Sequence, residues 1–339
     1  MKAALLIKTK NLGDAVILTA SIVALRDRYR IHVLCFSDAA SLYSNLPGVE
    51  RVWSVSRGER GWPSVRSGLR LIRGLSMVGF DLLVQYSDDW RGALIARTLN
   101  PRVSVAHRWL KRHHIWRNSF THLAPLTPRR HAVEQDIDLL RRVGLHTGEP
   151  PSYQVSGRSL SDPRAHELML LHGLTCKEFL VVHLFSRWTF KQLSQEATAR
   201  LIELLAVSGR TLVLTGDASD KLKFEELNLA QYPNLHTIFG ERLETFISIL
   251  SSARAVISVD SLAVHLSSAV CTPIVAIFGP SGEGNWRPWK TEYRAVHQSE
   301  RYPCRPCGLD GCGGSKVSQC LSTLEPELII ASLEDLLTA

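Results

Sequence analysis

Apolar and polar positions along this chain switch repeatedly between the short run of a buried strand and the 3.6-residue period of a helix. Near the start, residues 3–7 are continuously apolar, as expected of a strand buried on both faces. A polar turn, Thr9-Lys10-Asn11-Leu12-Gly13-Asp14, follows. Residues 15–29 then place Val16, Ile17, Ala20, Val23 and Ala24 at helical spacing, with a charged end at Arg26-Asp27-Arg28. Further strands are predicted at 31–36, 49–55 and 81–86. Residues 57–68, with Gly61-Trp62-Pro63, read as a loop, and helices are predicted at 69–77, 94–99 and 132–143.

From 147 to 160 the composition turns to Gly, Pro and Ser, after which a second series begins. Strands are predicted at 179–184, 211–215, near Leu235, at 255–259 and at 274–278. Helices are predicted at 195–206, 222–229, 243–252 and 325–337. Two successive βα series predict an α/β protein with two Rossmann-like parallel-sheet domains, 1–155 and 156–339. A ligand is expected in a cleft that the two face. The final helix is expected to return to the N-terminal domain.

The stretch AVISVDSLAVHLSSAVCTPIVAIFGPSGEGNW (255–286) reads as strand, polar turn, helix, strand and glycine-rich loop. Asp260 and Ser261 fall where the strand ends and the helix begins, a place whose free N–H groups suit a phosphate. His265 lies one turn further on the same face. Gly279-Pro280-Ser281-Gly282 is either a plain turn or a close approach of backbone to ligand. Ser186-Arg187-Trp188-Thr189-Phe190-Lys191 brings two cations and two hydroxyls directly after a strand, which suits a diphosphate or a solvated loop. Asp14 reads first as a helix N-cap, a role that can coexist with that of a general base at a strand's carboxyl end. GxxxxGK[ST], GxGxxG and GxSxG are all missing, so P-loop, standard dinucleotide and serine-elbow chemistry lack support.

The net charge of +8 is unevenly spread: residues 51–130 hold 15 Arg and Lys against 4 acids. This basic stretch implies an anionic partner or a solubilising face. Its densest part holds Arg108, Trp109, Lys111, Arg112, Trp116 and Arg117; the tryptophans suit sugar stacking or core packing equally. No nucleic-acid module accompanies the charge, so nucleic acid is not the expected partner. The opening apolar run is too short for a signal peptide and no apolar run is long enough to span a bilayer, so a cytoplasmic location is expected. Of seven cysteines, Cys35, Cys176 and Cys271 are expected to be small buried side chains. Cys304, Cys307, Cys312 and Cys320 form a cluster that suits either a structural zinc or iron or free structural thiols.

Together these residues resemble the heptosyltransferases of glycosyltransferase family nine, most closely the branch adding the third, side-branch heptose to the lipopolysaccharide core. The matching segments are KTKNLGDAVILTASIVALR, NLPGVERVW, HLFSRWTFKQLSQE, VDSLAVHLSSAVCTPIVAIFGPS and YPCRPCGLDGCGGSKVSQCL, which span nearly the whole chain. The resemblance implies a GT-B fold and an inverting transfer of heptose from ADP-L-glycero-β-D-manno-heptose to a phosphorylated inner-core acceptor, with no cofactor required. Asp14 matches the family's base. Ser186, Arg187, Lys191, Asp260, Ser261 and His265 match or adjoin its donor site, with Asp217 and Asp220 near a ribose-binding position. Arg108, Lys111, Arg112 and Arg117 are the acceptor candidates, at a peripheral contact with the cytoplasmic face of the inner membrane. Leu262 and Phe185 depart from the glycine, or glycine and threonine, found in other members. The alternatives are a relative that uses a protein acceptor or another sugar nucleotide, and a non-catalytic sugar-nucleotide-binding protein.

Overall fold

A computed structural model describes residues 1–57, 65–109, 114–127, 129–229 and 231–338. The chain forms two compact units, Met1–Gly157 and Arg158–Ala339. The first contains β1 (Lys2–Lys8), α1 (Leu12–Leu25), β2 (Tyr29–Phe36), α2 (Ala40–Tyr43), β3 (Val49–Val55) and α3 (Val65–Ser76). It continues with β4 (Leu82–Gln85), α4 (Trp90–Leu99), β5 (Val103–His107), α5 (His114–Arg117), β6 (His122–Ala124) and α6 (Ala132–Arg142). Its six strands are all parallel, in the order β3-β2-β1-β4-β5-β6.

After α7 (Gly157–Leu160), the second unit contains α8 (Pro163–Leu171), β7 (Phe179–His183), α9 (Gln195–Val207), β8 (Thr211–Gly216), α10 (Asp220–Glu225) and β9 (Leu235–Phe239). It continues with α11 (Leu243–Ser252), β10 (Ala255–Val259), α12 (Leu262–Ala269), β11 (Ile274–Ile277) and α13 (Glu283–Trp286). β12 (Tyr293–Val296), α14 (Gln319–Ser322) and α15 (Pro326–Thr338) complete it. Its parallel sheet runs β12-β11-β10-β7-β8-β9.

In both sheets the order reverses beside the first strand of the unit, between β1 and β4 and between β7 and β10. Such reversals splay the flanking loops at the carboxyl edge and leave room for a ligand. Asp14 and the Ser186–Lys191 turn follow the central strands β1 and β7, and Asp260 follows β10.

Helix α1 is buried at every position from Ala15 to Ile22, so its apolar surface is satisfied all round and its first turn is fixed. α12 is buried from Ala263 to Ser268, and Ser268 Oγ donates to Val264 O at 3.0 Å. Gly279 lets the backbone after β11 press against α14, because a Cβ there would stand 2.3 Å from Leu321 Cδ1. The residue thus serves close packing.

Several expectations change. α3 begins at Val65, inside the predicted loop; Gly61, Trp62 and Pro63 lie outside the described residues. The short strands β5, β6 and β12 and the helix α8 are additional. α15 does not join the first unit's core. Ile329, Leu333 and Leu336 are buried in the second unit's own apolar cluster, against α9, β11 and β12, which satisfies the helix's apolar stripe. Cys176 and Cys271 are exposed: one lies in the turn before β7, the other after α12 with φ +56°, both outside the packed elements. Cys35 is buried, and burial pushes its thiol up to about 12.

Candidate active site

In the second unit, Lys191 and Asp260 come together at the sheet's carboxyl edge. Lys191 Nζ donates to Asp260 Oδ2 at 2.6 Å, and the carboxylate is buried. The turn that carries Lys191 is tied down twice: Gln192 Nε2 donates to Ser186 O at 2.5 Å, and Ser318 Oγ donates to Phe190 O at 2.7 Å. Ser186 is half-buried, and Arg187 is exposed.

Ser261 caps α12, its Oγ accepting the Ala263 N–H at 3.2 Å. Ser258 Oγ donates to Val259 O at 2.7 Å, so the hydrogen bond between Ser258 and Ser261 (3.0 Å) uses the Ser261 proton. What this corner offers an anion is backbone N–H and the helix dipole, with Ser261 holding them in place. His265 is buried one turn on, its ring edge-on to Trp286 at 6.2 Å between centroids.

Asp217 and Asp220 are engaged with each other and with α10. The Asp217 N–H donates to Asp220 Oδ2 at 3.0 Å, and Lys223 Nζ donates to Asp220 Oδ1 at 2.7 Å. Beside them, burial drives the His183 imidazole from 6.5 down to about 4; its Nδ1 is 3.0 Å from Thr215 Oγ1.

In the first unit Asp14 is not the N-cap of α1. That position is Asn11, and Asp14 is half-buried in the helix's first turn, where the dipole favours a carboxylate. Below it lies a pair with no signal in the local sequence: Lys8 Nζ donates to Asp136 Oδ2 at 2.5 Å, both side chains buried. Burial pushes the Asp136 carboxyl up, Lys8 draws it back, and the negative charge of Asp14 raises it further. Asp14 therefore shares an electrostatic neighbourhood with a neutralised ion pair.

Arg108 and Arg117 are exposed at either end of a segment whose Lys111 and Arg112 lie outside the described residues. Trp116 is core: it is buried, and its Nε1–H donates to His107 O at 2.8 Å. Trp109 is half-buried under Lys10, whose Nζ sits 5.5 Å from the ring centroid.

Cys304, Cys307 and Cys312 are exposed and Cys320 is buried. Burial pushes the Cys320 thiol up, Arg305 draws it back, and Cys307, Cys312 and Cys304 raise it further, so the four share one neighbourhood. Among the described residues, however, no three His, Cys, Asp or Glu side chains converge as metal ligands. The loop is pinned instead by Arg305, whose Nε donates to Gly279 O at 2.6 Å.

Two Rossmann-like parallel sheets in succession define the GT-B class of α/β protein. Within that class the chain belongs to glycosyltransferase family 9, the heptosyltransferases, whose family model matches residues 68–312. It is a glycosyltransferase by that membership. The chain is similar to lipopolysaccharide heptosyltransferase 3 of Escherichia coli K12, 28% identical, with 96% of this chain and 95% of that protein covered. In fold it is similar to a family 9 glycosyltransferase from Veillonella parvula, with a TM-score of 0.82, 18% identity, and 99% and 97% of the two chains covered. It is similar also to the E. coli ADP-heptose lipopolysaccharide heptosyltransferase II, with a TM-score of 0.78, 18% identity, and 100% and 99% covered. Among the described residues no helix is long and apolar enough to cross a membrane.

Proposed function

We propose that this chain transfers heptose from ADP-L-glycero-β-D-manno-heptose to a phosphorylated inner-core sugar of lipopolysaccharide, with inversion at the anomeric carbon. The observation that carries the reading is the Lys191–Asp260 pair beside the start of α12, which sets a cation and a helix N-terminus at one sheet edge. The relative's name supports lipopolysaccharide as the destination, and the structural neighbour's name supports ADP-heptose as donor.

The second unit then binds the nucleotide sugar. Lys191, Arg187 and the backbone at Asp260 and Ser261 neutralise the charge growing on the departing ADP, with Ser186 and His265 shaping the donor pocket. The first unit binds the acceptor. Asp14 takes the proton of the attacking hydroxyl as the new glycosidic bond forms and the bond to ADP breaks. Arg108, Lys111, Arg112 and Arg117 hold the acceptor's phosphates, and the protein works peripherally at the cytoplasmic face of the inner membrane. The chemistry needs no cofactor, and the tail cysteines are free thiols that shape the loop held by Arg305.

The deciding experiment is mass spectrometry of candidate core oligosaccharides after incubation with ADP-heptose. A gain of one heptose on a phosphorylated core supports the reading. A gain only on a protein acceptor, or ADP release with no acceptor modified, defeats it.

A further inference from the structure

Helices α3, α4 and α5 cover one face of the first sheet, sending Leu75, Ile95 and Trp116 into a single apolar cluster. Their outward sides are unusual. Among the described residues of the first unit the exposed large apolar ones are Met1, Leu69, Met77, Trp90, Leu94 and Ile115, and all but Met1 lie on these three helices or directly after α3. Leu69 is 62% exposed, Met77 83% and Ile115 72%.

The same surface is rich in arginine. Arg66, Arg70 and Arg73 lie three and four residues apart on α3, all exposed and flanked by Leu69 and Met77. Arg97 adds to them from α4, beside Leu94. None of the three helices contains an acid. No ion pair joins these four arginines to any described acid, whereas Arg130 and Arg141, near and on α6, are matched by Glu134 and Asp138.

From this geometry we infer that the outward face of α3–α5 is a docking surface for an anionic lipid bilayer. Isolated large side chains separated by unpaired guanidiniums fit a surface where apolar groups enter between headgroups while the arginines meet lipid phosphates. A protein interface has a charge-depleted centre inside its polar rim, but here charge and apolar side chains alternate along the helices. The inference rests on the proposed function only in taking the acceptor to be membrane-borne.

The test is co-sedimentation of the full chain with vesicles of phosphatidylethanolamine and phosphatidylglycerol, set against vesicles of phosphatidylcholine alone. Binding is expected to the anionic vesicles, weakening as salt is raised. The triple variant Arg66→Gln, Arg70→Gln, Arg73→Gln should bind about a hundredfold less, at roughly fivefold per arginine. Leu69→Ser with Met77→Ser should bind about tenfold less or weaker. Both variants should melt like the parent and transfer normally to a soluble, delipidated acceptor, since none of these residues is in the proposed site.

Equal vesicle binding by parent and both variants overturns the inference. So does a dimer in light scattering that the serine variant abolishes while vesicles are not bound, because the face then meets a second copy. Vesicle binding by a parent that modifies no acceptor leaves this surface standing and defeats the enzymatic reading instead.

Discussion

Lys191 Nζ lies 2.6 Å from Asp260 Oδ2, and the acid is the more buried partner, 6% exposed against 21%. A carboxylate at the edge of an anion site repels the ligand unless its charge is already cancelled. The ammonium cancels it and keeps two further N–H donors, which the proposed reaction would turn to the diphosphate of the donor. Lys191→Met should therefore lower kcat for ADP release by about two to three orders of magnitude, with Lys191→Arg recovering part of the loss. A continuous assay of ADP production checks this, and an unchanged kcat removes Lys191 from the mechanism.

Asp14 stands in the first turn of a buried helix, so substitution there should leave the fold intact. Asp14→Asn and Asp14→Ala are expected to lose about two to four orders of magnitude in turnover, the usual worth of a general base. ADP affinity, measured by calorimetry, should stay at the parent value. Turnover close to normal would show that another group takes the hydroxyl proton.

The Lys8–Asp136 pair is fully enclosed, and removing one partner strands a buried charge. Asp136→Ala should destabilise the chain by about 3–5 kcal/mol in urea unfolding. The double change Lys8→Met with Asp136→Leu should restore most of that, because it leaves no ion to desolvate. If the double variant is as unstable as the single, the cost is one of packing and not of charge.

Two imidazoles, His107 buried and His183 half-buried, set an acid limit. Burial holds both His107 and His183 at about 4, against an ordinary 6.5. The unfolded chain binds these protons first, so the stability they contribute is complete above pH 6.5 and is lost as pH falls from there to about 4. Each accounts for about 3 kcal/mol over that window. Melting temperatures recorded from pH 7 to 4 should fall steeply in the parent and less steeply in His183→Asn. Parallel curves would mean that the ring is not neutral in the folded protein.

Thiol chemistry distinguishes free cysteines from metal ligands. Iodoacetamide should label Cys304, Cys307, Cys312, Cys176 and Cys271 in the folded protein, and Cys35 and Cys320 only after unfolding. Peptide mass spectrometry reads the pattern directly. Protection of Cys304, Cys307 and Cys312 that a chelator removes would restore a metal to the tail.

Much of the fold was legible locally. Strands flanked on both sides in a parallel sheet, such as β1, β7 and β10, are continuous apolar runs that need no partner to be recognised. The strands β5, β6 and β12 carry weaker signals: β6 and β12 are paired on one side only, with Tyr293-Arg294-Ala295 half-buried, and β5, paired on both, has Ser104 and His107 within its short apolar run. The start of α3 was obscured by the glycines and proline before it. Ser261 was singled out as a ligand contact, and only its bonds to Ser258 and Ala263 show that it holds the helix start.

The sequence by itself determined most of the order of strands and helices, the two-unit plan, and the strand ends after which Asp14, Lys191 and Asp260 fall, since all of these follow from residues within a few positions of one another. Tertiary structure decided which charges meet. Lys191 and Asp260 are 69 positions apart, and Lys8 and Asp136 are 128 apart. Periodicity encodes which face of an element is buried; only the crossing of distant elements fixes what a buried charge finds there. The same crossing seated α15 on the second unit's core and left the arginines of α3 facing outward with no ion pair to a described acid.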